Sequence, residues 1–323
     1  MIQLDEMEFH GGIHTMEVVL YDVPYADYTR LSGITSTENK ALFPQTYENT
    51  ETGELIVFLD AKVNVNRFAA ERDHGGREYW IDTFTEFVDE FENCIAQVRH
   101  SRYEIKRIDF RIDEYQHSFR ELLKWNRTLL EVLKETWELQ SIENIKNQTI
   151  RTRCSNEFGR CIQVYDKPAE TNYRNQMVKT RFEIQDTIQE RDLFFDWQFV
   201  RNRGINYTAY SLEHLNFVPA ITEKINSAAE KEAKSIIRSI KKKIEENEQN
   251  GLSYNKANLI QQYRYRIFSA HELRLICKGI GLREDTAYRY GTRYKLTKEY
   301  LDDAAIISYG RKLGLALDEF LST

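Results

Sequence analysis

Two alternating runs, Thr149-Ile150-Arg151-Thr152-Arg153-Cys154 and Arg160-Cys161-Ile162-Gln163-Val164-Tyr165-Asp166-Lys167, flank Ser155-Asn156-Glu157-Phe158-Gly159. Turn-forming residues between two period-two segments predict a β-hairpin. Successive side chains of a strand point to opposite sides, so Ile162 and Val164 share one face while Cys161, Gln163, Tyr165 and Lys167 share the other. Pro168 has no N–H to give a ladder and closes the run. Met177–Asp186 reads as the next strand, with Thr180, Phe182 and Ile184 on one side and Lys179, Arg181, Glu183 and Gln185 on the other. Neighbouring strands joined by short turns, each with one apolar face, specify an antiparallel or mixed sheet covered on one side.

Working outward, Tyr103–Asp113 repeats the pattern: Lys106, Ile108, Phe110 and Ile112 on one face, Arg107, Asp109, Arg111 and Asp113 on the other. Residues 16–22 predict a first strand and 54–66 a strand or hairpin, with a turn-rich stretch over 24–53. Helical spacing of Trp80, Phe84, Phe87, Val88, Phe91, Ile95 and Val98 predicts a helix over 78–98, its aromatic stripe read as core. Residues 117–138 predict a second helix. The order β, β, α, β, α, β, β, β gives an α+β fold with a central sheet and helices on one face.

After Pro219 the composition shifts. Ile221–Asn250 reads as a long charged helix ended by Gly251. Ser269 with Glu272 forms a capping-box signature, Gly279-Ile280-Gly281-Leu282 a turn, and Asp285–Arg293 a short helix. This layout suits either a helix-turn-helix or an ordinary helical hairpin. Two domains follow: 1–218, carrying the chemistry, and 219–323, helical and basic. Residues 221–300 hold 17 Lys and Arg against 10 Asp and Glu, in a chain of 323 residues with net charge −6. An acidic body with one basic region fits a protein that binds a polyanion through that region; a solvated helical surface would give the same charges.

Cys94, Cys154, Cys161 and Cys277 show neither C-x-x-C nor zinc spacing and are expected as reduced thiols. Met1-Ile2-Gln3-Leu4-Asp5-Glu6 lacks a signal-peptide layout and no run nears the ~18 apolar residues of a membrane span. A cytoplasmic protein that does not engage membranes is expected.

The polar faces carry groups suited to phosphate chemistry: Asp109 and Asp113, then Tyr165 and Lys167, then Glu183. Carboxylates on neighbouring strands can share a hard cation, Mg²⁺ or Mn²⁺. Tyr165 can then attack phosphorus, with Lys167 stabilising the developing charge. A phenol of pKa ~10 needs help from a metal or a base. A solvated antiparallel sheet would also display charge, and an RNA-binding sheet would display aromatics on its open face. Phe110 and Phe182, however, fall on the covered faces. Tyr173, in a polar connector, is a competing nucleophile. His10 and His14 do not make a His-hydrophobe-His motif.

Arg107-Ile108-Asp109-Phe110-Arg111-Ile112-Asp113, then Val164-Tyr165-Asp166-Lys167 behind a hairpin, then Arg181-Phe182-Glu183-Ile184 resemble the replication initiation factor family, which comprises rolling-circle plasmid initiators and related transposon relaxases. Filamentous-phage replication proteins are similar at the same three places. The resemblance covers residues 100–190. It implies a site-specific DNA nickase and strand transferase with Tyr165 as nucleophile and Asp109 and Glu183 as metal ligands; an acid at Asp113 is not general among the relatives. It also implies origin DNA, a host helicase and a polymerase as partners, and leaves a conjugative-element relaxase as an alternative. Arg107 and Arg181 are candidate DNA contacts near the site. Arg289 and Arg293 are candidates in the basic region, where Ile221–Asn250 leaves room for a homodimer.

Overall fold

Among the described residues of the computed structural model, eight strands form a single sheet. They are β1 (Phe9–Pro24), β2 (Leu42–Asn49), β3 (Leu55–Val63), β4 (Tyr103–Glu114), β5 (Leu139–Ile145), β6 (Thr149–Cys154), β7 (Cys161–Asp166) and β8 (Thr180–Thr187). Their order is β2-β3-β1-β4-β8-β7-β6-β5, and every pairing is antiparallel. The structure describes residues 4–32, 41–50, 53–73, 79–136, 139–145, 148–154, 161–172, 176–188, 196–207, 221–267, 269–293 and 303–323. The hairpin turn after β6 and the competing Tyr173 lie outside them.

Two bulges shape the sheet where β1 meets β4, between Ile13 and Thr15 and between Glu17 and Val18. A bulge inserts one unpaired residue and re-aims its side chain. At the first, Ile13 and Met16 both enter the core, while His14 and Thr15 both reach polar partners on the other side. At the second, opposite β4, Ile105 and Ile108 are buried, whereas Lys106 bonds Asp60 and Arg107 bonds Glu17 and Asp109. Strict alternation had put Lys106 on the apolar face. The bulge moves it to the polar one and so avoids a buried ammonium.

The apolar face packs against α3 (Phe84–Ile95), α4 (Phe119–Thr136), α6 (Trp197–Tyr207) and α11 (Asp303–Ser322). Helix α3 is shorter than its spacing suggested. Thr83 caps it by accepting from the Glu86 N–H, so Trp80 falls outside the helix. Two short helices interrupt the stretches read as turns or strand: α1 (Tyr25–Ser32), and α2 (Val65–Asp73) directly after β3.

A second core joins α7 (Ile221–Gln249), α8 (Lys256–Gln261), α9 (Ala270–Gly279) and α10 (Glu284–Arg293) around Ile236, Ile240, Leu259, Leu273 and Ile276. The helical region is therefore narrower than 219–323, because α11 returns to the first core with Ile306, Leu313, Leu317, Phe320 and Leu321. Burial of that apolar stripe outweighs nearness in sequence. The two cores meet at an ion triad. Glu232 of α7, fully buried, pairs with Arg127 of α4 at 2.5 Å and with Arg266. Among the described residues no helix is long and apolar enough to cross a membrane.

Helix α11 crosses β1 at Gly11, where a Cβ would stand 2.2 Å from the Ala316 carbonyl oxygen. Backbone cannot yield as a side-chain tip can. Gly11→Ala is therefore expected to cost about 1–3 kcal/mol, read as a lower denaturant midpoint with an unchanged m-value.

Candidate functional site

The register of β4, β8 and β7 arranges their polar residues in rows. Arg111 stands opposite Glu183, and Glu183 opposite Gln163; in the next row Asp113, Arg181 and Tyr165 face one another. Asp109 opposes Gln185 in the row on the other side of Arg111 and Glu183. These side chains lie on the face away from the apolar core.

Glu183 is the hub. Its Oε2 accepts from the Tyr165 hydroxyl at 2.9 Å and from His14 Nδ1 at 3.0 Å. Its Oε1 accepts from Gln163 at 2.6 Å and Gln185 at 2.9 Å. Asp109 is held separately: Arg107 donates to both its oxygens at 2.7 and 2.8 Å, and the Thr15 hydroxyl adds a third bond at 2.6 Å. Asp113 accepts from Arg111 at 2.6 Å and from Arg181 at 2.6 and 2.8 Å. Gly12 makes room for this group, since a Cβ there would lie 2.6 Å from the Arg111 guanidinium.

Lys167 does not continue β7. It opens a four-residue turn of helix, α5 (Lys167–Glu170), because Asp166 caps it by accepting from the Ala169 N–H at 3.0 Å and Pro168 suits the first turn. Its ammonium bonds Glu170 at 2.7 Å and lies 5.8 Å from the centre of the Tyr165 ring.

Burial decides the electrostatics. It pushes the Tyr165 phenol well above its ordinary value, and the Glu183 carboxylate pushes it further. Lys167 is lowered by burial and by the Arg181 charge. His14 is lowered by the same two causes, which outweigh its bond to Glu183, so it is a neutral donor near pH 7. For Glu183 burial opposes ionisation, but the His14 hydrogen bond, the Arg181 charge and the Gln185 amide prevail and hold it below the usual carboxylate range. For Asp113 burial likewise opposes ionisation, and the charges of Arg181 and Arg111 overcome it.

Between pH 7 and acid, His14, Glu183 and Asp113 act in one direction. The unfolded chain takes up protons that the fold refuses, at His14 below about pH 6.5 and at the two acids below about pH 4. The stability they confer is present above those values and is lost as pH falls. Denaturant midpoints are expected to drop from pH 7 toward pH 5 and more steeply below pH 4. A flat profile from 7 to 5 would mean that folded His14 accepts a proton.

Asp109 and Glu183 offer oxygen donors suited to Mg²⁺ or Mn²⁺, and the His14 imidazole suits Mn²⁺. As they stand, each acid is occupied by donors of the chain itself, and among the described residues no three of His, Cys, Asp and Glu converge as a cation site. A bound cation would exchange with Gln163, Gln185, His14 or Arg107. Of the expected DNA contacts, Arg181 is enclosed by Asp113 and Trp80 and Arg107 is turned to Asp109 and Glu17. Arg289 and Arg293 lie apart from this cluster, exposed on α10 beside Tyr288, which is 75% exposed.

No family model, curated protein or solved structure matches the chain. His14, Thr15 and Trp80 are the site residues that the sequence pattern missed. His14 and Thr15 fall before the predicted first strand, on a bulge that alternation cannot register, and Trp80 has helical spacing with Phe84 although the helix begins after it.

Proposed function

We propose that the protein nicks and rejoins single-stranded DNA through a covalent phosphotyrosine at Tyr165, as an initiator of rolling-circle replication. The observation that carries this reading is the 2.9 Å hydrogen bond from the Tyr165 hydroxyl to Glu183 Oε2, on the polar face where three strands meet. Tyr165 Oη forms the new bond to phosphorus, and its proton passes to Glu183 Oε2. The P–O3′ bond breaks, its electron pair leaves with O3′, and that oxygen takes a proton from water to become a 3′ hydroxyl that a polymerase can extend. Lys167, whose Nζ lies 5.8 Å from the centre of the Tyr165 ring, would balance charge on the phosphoryl oxygens. His14, Gln163 and Gln185 keep Glu183 oriented toward the phenol. Asp109 and Glu183 would hold Mg²⁺ or Mn²⁺, which when bound supplies Lewis-acid stabilisation of the phosphoryl group and lowers the phenol's pKa. Exchange of one phosphodiester for another conserves bond energy, so reversal of the step reseals the strand.

Origin duplex would be gripped by the second core. Ser269 and Glu272 form a reciprocal capping box at the start of α9. Gly281, at φ 74°, turns the chain into α10, which offers Tyr288, Arg289 and Arg293 to a groove. A second reading, a nucleic-acid-binding protein without chemistry, is favoured by the burial of Tyr165 and the full pairing of its acids. An end-labelled single-stranded oligonucleotide, titrated with Mn²⁺ and Mg²⁺ and resolved under denaturing conditions, separates the two. Metal-dependent cleavage with label fixed to the Tyr165 peptide supports the nickase; binding without cleavage at any metal concentration supports the second.

A further inference from the structure

The reactive groups are covered. Tyr165 is 6% exposed, Lys167 4% and Glu183 2%, so a phosphodiester cannot reach the phenol without a displacement. Trp80 lies over their neighbours. Its ring centre is 4.2 Å from the Arg181 guanidinium carbon, 4.7 Å from that of Arg111, 5.8 Å from Lys167 Nζ and 6.2 Å from the centre of the His14 ring. One indole thus borders Arg181, Arg111, Lys167 and His14 together.

Trp80 belongs to neither a helix nor a strand, and its two neighbours are pinned. The Tyr79 hydroxyl donates to Glu86 at 2.6 Å, and the Ile81 N–H donates to the Asn66 side chain at 3.1 Å. Motion of Trp80 is therefore a swing of its side chain between a neighbour held by its phenol and one held by its backbone N–H. The indole Nε1–H is buried with no acceptor among the described residues, as are Arg111 Nε and Arg181 Nη1 in the same stack. Buried donors are ordinarily paired. Three such donors, two on guanidinium planes and one on the edge of the electron-rich indole they stack against, suit an occupant rich in acceptors, with a flat face of its own.

We propose that Trp80 is the gate and the base-stacking platform of the site: it swings off Arg111 and Arg181 as single-stranded DNA enters, stacks a base, and frees the guanidinium donors for the adjoining phosphate. The inference rests on the nicking reading for its substrate class. Stacking on an aromatic side chain accepts any base, so Trp80 would add affinity without sequence preference.

The test measures binding with chemistry switched off. A short fluorescein-labelled oligothymidylate is titrated in EDTA with wild type, Trp80→Ala and Trp80→Phe. Trp80→Ala is expected to weaken single-strand binding about 5- to 100-fold, and Trp80→Phe to retain most of it. If Trp80→Ala does not fold, tryptophan fluorescence decides: unlabelled oligothymidylate should quench wild type and leave Trp80→Phe nearly unquenched. Equal single-strand affinity in folded Trp80→Ala, or equal quenching in Trp80→Phe, overturns the proposal. Loss of affinity in a protein that never cleaves with metal would leave the Trp80 role standing and end the nicking reading. Unchanged affinity in a protein that cleaves would do the reverse.

Discussion

Tyr165→Phe is expected to abolish covalent capture of single-stranded DNA, with a loss on the order of 10⁴- to 10⁶-fold in strand cleavage, as for removal of a covalent nucleophile. The substitution is mild for the fold. The ring keeps its place on β7 opposite Arg181, and Glu183 Oε2 keeps the hydrogen bond from His14. One hydrogen bond to a charged group disappears, worth about 1.5–3 kcal/mol. Duplex binding through α10 is expected to be unchanged, because that helix belongs to the second core. A gel of oligonucleotide trapped on the protein, run beside a melting curve of the same preparation, reads both effects. Capture at wild-type level by a folded Tyr165→Phe would remove Tyr165 from the chemistry.

The second large effect is on stability. Asp113 is fully buried, as are both guanidiniums that bond it. Asp113→Asn keeps the volume and removes the charge, leaving Arg111 and Arg181 facing each other across β4 and β8 without their counter-ion. Breaking a buried pair from one side costs about 3–5 kcal/mol, a large share of the about 5–15 kcal/mol of a whole domain. A contrasting change lies at the surface. Arg67 and Glu71 pair one turn apart on α2 with roughly a third of each side chain exposed, and Glu71→Gln is expected to cost less than about 1 kcal/mol. Urea midpoints of the two variants measure the contrast. A small effect at Asp113 would mean that the guanidiniums reach water when their partner is gone.

The strands that bury one full face were legible. In β4, β7 and β8 the alternation of apolar and polar residues placed Phe110, Val164 and Phe182 inside and Asp109, Tyr165 and Glu183 opposite. The edge strands were not. In β2, Leu42 is buried while Gln45 to Asn49 are exposed, and Pro44 breaks the pattern, so its pairing with β3 leaves little hydrophobic signature. Nor was the start of β1, where two glycines and a bulge hide the period around His14. Charge type was legible, but its direction was not. Arg181 reads as a residue for phosphate, yet the neighbouring strand gives it Asp113, a choice that only the register makes. The long-range partner of α11 was equally out of reach, since an apolar helix does not name the core it will join.

That placement of α11 carries a consequence for biosynthesis. Synthesis runs from the first residue onward, and β1, β4 and the hydrophobic floor beneath them are not complete until residues 303–323 have left the ribosome. The polar face above that floor is therefore expected to settle only once α11 can pack. A polypeptide cut short before α11 would lack Leu317, Phe320 and Leu321 under those strands and have no settled arrangement of Asp109, Glu183 and Tyr165.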